Sequence, residues 1–201
     1  MSRLEKEIIL AKEALLNHQV VAFPTETVMG LGVIFDDYDA YNLLNEIKNR
    51  PEDKPYTMMV KDTNLVSKYC FVDEKINRVI KAFMPGSITL LLKARDNVPS
   101  YVTHNTGVIG IRIPTNVEAV KLLEAVDKPL LVPSANKSGE RPALNSLAVK
   151  AIFKDEVKVV ITGLSKGEVP STIVDLSSDK PLLVREGPIN YKEIVEVYEN
   201  E

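Results

Sequence analysis

The residues best equipped for chemistry in this chain are cations and small hydroxyl or amide side chains placed at the ends of apolar runs. They stand in Lys48-Asn49-Arg50-Pro51, Gly110-Ile111-Arg112-Ile113-Pro114, Pro133-Ser134-Ala135-Asn136, Ser171-Thr172-Ile173-Val174-Asp175 and Arg185-Glu186-Gly187. Ahead of them, Phe23-Pro24-Thr25-Glu26-Thr27-Val28-Met29-Gly30-Leu31-Gly32 reads as an apolar strand running into a Thr-rich binding loop punctuated by glycine. Arg50 carries a planar fork suited to phosphate oxygens, and Lys48 and Lys54 add point charges around the same turn, a set that suits a triphosphate. Cations at a helix C-terminus are also favoured by the macrodipole without any function, so the pair says little alone. Ser134 and Asn136 open a loop just after a buried apolar run, at the end of an α/β sheet where ligands sit, and supply both donors and acceptors. Local turn capping would use the same two residue types. Arg112 lies inside an apolar strand, where an unpaired guanidinium is costly. It needs an anionic partner, either one of the chain's carboxylates or a ligand.

Several other chemistries lack their residues. Glu26 is the only carboxylate of the first loop, no second one lies nearby in sequence to complete a metal site, and it is expected to accept backbone N–H bonds. His18 and His104 have no metal-ligand or nucleophile spacing and are expected at the surface. The absence of Gly-x-x-x-x-Gly-Lys-Ser/Thr and Gly-x-Gly-x-x-Gly excludes P-loop and Rossmann nucleotide binding. The lone Cys70, between Tyr69 and Phe71, excludes an internal disulfide and a Cys-based zinc cluster, and apolar packing is its expected role. With 25 Lys+Arg against 28 Asp+Glu, the net charge of −3 gives no global attraction to nucleic acid, so anion binding must be local.

The elements that must position these groups follow from periodicity. Ser2 and Glu5 form a capping box for a helix carrying Leu4, Ile8, Ala11 and Leu15 inward and ending near Asn17. Strands are expected at 20–23, 57–60, 87–92, 108–113, 130–132, 157–161, 172–176 and 182–184. Helices are expected at 39–48, at 73–83, after Thr115 with Val120, Leu123 and Val126 inward, from the polar loop 134–145 to Phe153, and after Asn190. Alternating elements with near-continuous apolar strands predict an α/β fold, a mixed twisted sheet covered by helices, in one domain over 1–201. The charged N-terminus lacks a signal-peptide pattern, and no run approaches the roughly 20 apolar residues of a membrane span. A soluble, cytoplasmic chain without membrane contact is expected.

Taken together, the quoted segments resemble the YrdC family, the threonylcarbamoyl-AMP synthases, over roughly residues 10–188. The family signature of the adenylating site, Lys-x-Arg with Ser-x-Asn, stands intact at Lys48, Arg50, Ser134 and Asn136. The resemblance implies a twisted open sheet with a large, positively lined cleft. It implies catalysis at those four residues, nucleotide binding by Arg50, Lys54, Asn136 and Arg185, and threonine binding by Thr27, Met59, Arg112, Ser134 and Ser171. The implied reaction joins L-threonine, bicarbonate or carbon dioxide, and ATP into threonylcarbamoyl-AMP and pyrophosphate. Mg²⁺ would be carried mainly by ATP, no metal would be held by the protein itself, and loop 134–145 would serve as a lid. Implied partners are downstream tRNA-modifying proteins, with double-stranded RNA or tRNA as a further one. The chain departs from the usual pattern at Met29, Met59 and Leu144, where a Tyr, a His and a Thr are common, and Met cannot replace their hydrogen bonds. It matches the short form of the family. The competing readings are a non-catalytic double-stranded RNA-binding module and a paralogue that adenylates another substrate.

Overall fold

The computed structural model describes residues 1–49, 55–167 and 169–200. Among them, helices α1 (Arg3–Leu16), α2 (Tyr38–Lys48), α3 (Thr63–Tyr69), α4 (Glu74–Phe83), α5 (Val117–Val126), α6 (Ser146–Phe153) and α7 (Tyr191–Glu199) surround one sheet. Its strands are β1 (Val21–Phe23), β2 (Gly30–Ile34), β3 (Thr57–Met59), β4 (Ile88–Lys93), β5 (Val108–Arg112), β6 (Leu130–Leu131), β7 (Val159–Val160), β8 (Thr172–Asp175) and β9 (Leu182–Arg185). They lie in the order β7-β1-β2-β6-β3-β5-β4-β8-β9. Pairing is mixed, as expected: β1 with β7, β3 with β5 and β4 with β8 are parallel, and the remaining neighbours run antiparallel.

Successive strand residues point to opposite faces, and this divides the core in two. Met59, Val21, Phe23 and Leu130 pack with α1 and α5, while Met58, Ala22, Leu31 and Leu131 join the larger cluster with α2, α3, α4, α6 and α7. Caps hold helix ends where the sequence offers them. The Ser2/Glu5 box closes on α1, and Asn145 and Asn190 cap α6 and α7. No helix of the described residues is long and apolar enough to cross a membrane.

Three expectations change. Gly30 and Gly32 belong to β2, so the first loop ends at Met29. A Cβ on Gly30 would come within 2.7 Å of Val132 Cγ1, and one on Gly32 within 2.7 Å of the Phe23 ring, so these glycines serve close strand packing and not a turn. Helix α3, capped by Asp62, was not anticipated. The cap of α5 is Asn116 and not Thr115, and its buried face is Ala119, Leu122, Leu123 and Val126, with Val120 only partly covered.

Candidate functional site

Two loops meet beside the sheet. Loop 24–29 leaves β1 and loop 133–143 leaves β6, and main-chain bonds join them: Ala135 N–H donates to Met29 O at 2.7 Å, Met29 N–H to Ala143 O at 3.0 Å and Leu31 N–H to Pro133 O at 2.9 Å. The segment before β8 presses on the first loop, with Thr25 N–H donating to Ser165 Oγ at 3.2 Å. A Cβ on Gly167 would lie only 2.7 Å from Thr27 Cα.

Arg112 closes β5 and is 6% exposed. Its anionic partner is Glu26: Nη2 and Nε donate to Oε1 at 2.6 and 3.2 Å. Nη2 also donates to Thr27 Oγ1 at 3.1 Å. The other Glu26 oxygen accepts the backbone N–H groups of Thr115 and Asn116, as expected, at the N-terminus of α5, where the helix field favours an anion. Arg185 closes β9 and donates through Nε and Nη2 to Ser171 O at 3.1 and 2.8 Å, and through Nη2 to Ser171 Oγ at 3.2 Å. Arg185 as a whole residue is exposed, yet its guanidinium is partly withdrawn from water. Burial first, and then the positive charge of Arg112, hold its pKa below the ordinary value.

The sheet register explains why these groups meet. Met59 pairs with Arg112 and Ile173 with Arg185, and with Thr57 and Val132 they share one sheet face. The result is a cavity of about 210 Å³ lined by Thr27, Met59, Arg112, Ser134, Ser171 and Arg185 among others. Every residue expected around threonine lines it, together with one expected at the nucleotide. Larger hollows exist, one of about 790 Å³ between α1 and the β7 edge, lined by Leu10 and valines together with lysines and the carboxylates Glu7 and Asp155. Convergence of buried polar groups, and not volume, marks the site.

Lys48 and Asn136 stand behind this cavity. Lys48 is 1% exposed, and its ammonium donates to Ser134 O and Asn136 O, each at 2.7 Å, and to Asn136 Oδ1 at 3.5 Å. Asn136 donates to Lys137 O and Glu140 O and accepts from Ser134 Oγ at 2.6 Å, which fixes the loop from within. Ser138 N–H adds a bond to Lys48 O at 2.9 Å. These ties hold the loop on either side of Gly139. Arg50 and Lys54 lie outside the described residues, so of the positive lining expected for a large cleft the described part supplies Arg112 and Arg185.

Sequence reasoning missed Thr25 and Thr89, both buried behind lining residues. A lone Thr within Ile88-Thr89-Leu90-Leu91-Leu92 was the available signal for the second. His104 is half-buried against the Tyr41 hydroxyl at 3.2 Å, whereas a surface position was expected. Cys70 is fully buried, and burial pushes its thiol up to about 12. Among the described residues no three His, Cys, Asp or Glu side chains gather as a metal cluster.

With this geometry in place, comparison with known proteins is informative. The family model for Sua5, YciO and YrdC, described as "Telomere recombination", matches residues 13–187. A relative from Pyrococcus abyssi named threonylcarbamoyl-AMP synthase is 32% identical over 200 residues, covering 96% of this chain. This chain spans 57% of that relative's length. The P. abyssi Sua5 crystal structure in complex with L-threonine superposes with a TM-score of 0.91 at 31% identity, over 98% of this chain and 58% of that one. Escherichia coli YciO superposes with a TM-score of 0.88 at 29% identity, over 96% and 95% of the two chains.

Proposed function

The chain belongs to the Sua5, YciO and YrdC family, and on that premise we propose that it is an L-threonylcarbamoyladenylate synthase. It joins L-threonine, bicarbonate or carbon dioxide, and ATP, and releases pyrophosphate. The product is a mixed anhydride destined for tRNA N6-threonylcarbamoyladenosine, passed in the cytoplasm to separate tRNA-modifying proteins. The observation that carries this reading is the convergence of Arg112, Arg185, Thr27, Ser134 and Ser171 on one small cavity. Its volume of about 210 Å³ is below the roughly 300 Å³ at which pockets for larger ligands begin, and it suits an amino acid better than a nucleotide. A family relative that binds L-threonine in the same fold supports the assignment of the amino acid.

The chemistry asks little of a protein nucleophile. The free amine of threonine adds to carbon dioxide and loses a proton, giving a carbamate. One carbamate oxygen then bonds to the α-phosphorus of ATP as the bond to pyrophosphate breaks. Both reactants are anions, so the site's work is charge neutralisation and alignment. Arg112 is steadied by Glu26 and takes the threonine carboxylate, Arg185 stands between amino acid and nucleotide, Arg50 and Lys54 serve the triphosphate side, and Lys48 and Asn136 hold the loop that borders it. Glu26 is engaged by Arg112 and two backbone N–H groups, which fits Mg²⁺ arriving on ATP and not on a carboxylate site of the protein.

Pyrophosphate release by the purified chain tests the reading. Release that requires ATP, threonine and bicarbonate together, with threonylcarbamoyl-AMP seen by mass spectrometry, is the expected result. Release with a different amino acid would transfer the chain to a paralogous reaction. Retention of double-stranded RNA with no release under any condition would replace the enzyme by a binding module.

A further inference from the structure

The sheet ends on one side at β7, whose neighbour is β1 alone. An edge strand offers main-chain donors and acceptors to whatever lies beside it. Ile161 N–H donates back to Ala22 O at 2.8 Å, and alternation along the strand turns the Val160 N–H and C=O away from β1. Among the described residues no loop or helix main chain bonds to them. The hollow of about 790 Å³ noted above runs along this edge, between α1 and α6.

The two walls of the hollow differ. On the α1 side stand Leu10, 53% exposed, and Glu7, whose carboxylate is already engaged by Arg3 Nε at 2.9 Å and by the N–H and hydroxyl of Thr162, each at 2.8 Å. Val159 packs with the cluster on this side. On the α6 side stand Lys150 and Lys154, one helical turn apart and so on one face, with Lys158 at the start of the strand. All three lysines are exposed, and among the described residues none of them forms an ion pair. Asp155 is the one carboxylate of the lining left unengaged there. Lys154 ends α6 at φ 48° and ψ −120°, a conformation that a residue with a Cβ rarely adopts, and this strained turn leads the chain from α6 into β7 with Lys154 and Lys158 on the same hollow.

We propose that β7 is a docking edge for an extended, acidic segment of a partner protein. The segment adds a strand beside Val160 and alternates apolar side chains toward Leu10 with carboxylates toward Lys150, Lys154 and Lys158. A second copy of this chain fits poorly, because two-fold pairing of the same edge sets its lysines against one another. Nucleic acid fits poorly as well: one wall is apolar, and among the described lining residues there is no aromatic side chain on which a base could stack. The edge shares no residue with the amino-acid cavity, and the proposal stands independently of the reaction assigned to that cavity.

Titration of the full chain with the heptapeptide Glu-Val-Asp-Val-Glu-Val-Asp, followed by calorimetry and by amide hydrogen exchange, tests the proposal. The peptide should bind and slow exchange at Val160 about tenfold or more. Its N-methylated form, which keeps the charges and loses the main-chain donors, should not bind, nor should the counterpart with lysine at each acidic position. Lys154→Gly combined with Lys158→Gln should weaken the acidic peptide about tenfold without lowering the melting temperature, since glycine accepts the backbone angles at position 154 without strain. Absence of binding, equal binding of the N-methylated form, or indifference to the two substitutions overturns the proposal. Protection of Val160 by oligouridylate and not by the peptide gives the edge to nucleic acid, and protection that grows with protein concentration alone gives it to a second copy; either result overturns the proposal too.

Discussion

Lys48 and Arg112 are both buried cations beneath a site loop, yet their surroundings differ in kind. Lys48 is met by main-chain and amide oxygens of the loop 133–143. Arg112 is met by the Glu26 carboxylate and by Thr27 on the loop 24–29. An ammonium is a compact charge that can gather several carbonyl oxygens around it, and here it fastens a loop from below. A guanidinium is a flat fork with separate edges, so Arg112 can give Nε and Nη2 to the fold and still line the cavity. The same burial thus produces a strut in one place and a ligand-facing group in the other.

Substitutions can break that contrast. The largest effect is expected for Lys48→Met, which leaves the Ser134 and Asn136 carbonyls without their charged donor. Stability to urea should drop about 3 kcal/mol, with activity lost in parallel. If stability were kept while pyrophosphate release vanished, Lys48 would be the ligand-facing group and the contrast would be reversed. Arg112→Met should cost about 2 kcal/mol, because Glu26 keeps its two backbone donors, while threonine affinity measured by calorimetry falls about hundredfold. Gly167→Ala sharpens the picture of the first loop: the added methyl meets Thr27, and overpacking of about 1–2 kcal/mol should appear as a lower melting temperature together with weaker threonine binding. Lys48 and its loop should be unaffected.

The smallest effect concerns pH and lies away from both cations. Burial raises Cys70 from 9.0 to about 12. It also raises Tyr101 from 10.0 to about 12, with Asp36 and Asp37 adding to the effect. The folded chain keeps protons that the unfolded chain would release, so stability is intact below pH 9 and declines as pH rises toward 12. Urea midpoints across that range should show a shallower decline for Cys70→Ala.

Much of the fold was legible because it is written locally. The Ser2/Glu5 box, the apolar run of β5 and the Asn190 cap each depend on residues a few positions apart. β2 was not legible in the same way, since Gly30 and Gly32 signal a turn locally, whereas their purpose is the approach of Val132 and Phe23. The missed α3 did carry a signal, Asp62 bonded to the N–H groups of Asn64 and Leu65, but its seven residues are too few for a clear period. At the site, the sequence pointed to Arg112 and to its need for an anion, without showing that Glu26, 86 positions earlier, meets that need.

By itself, then, the sequence determined which residue types stand at the strand ends and which helices and strands carry them, because hydrophobic period and capping act within a few residues. The tertiary structure alone decided that Lys48 lies under a loop, that Glu26 holds Arg112, and that Thr25, Asn136 and Thr89 lie within hydrogen-bonding distance of the Thr27, Ser134 and Ser171 hydroxyls. Those outcomes depend on distances of a few ångströms between segments far apart in the chain, and only the packed sheet brings such segments into register.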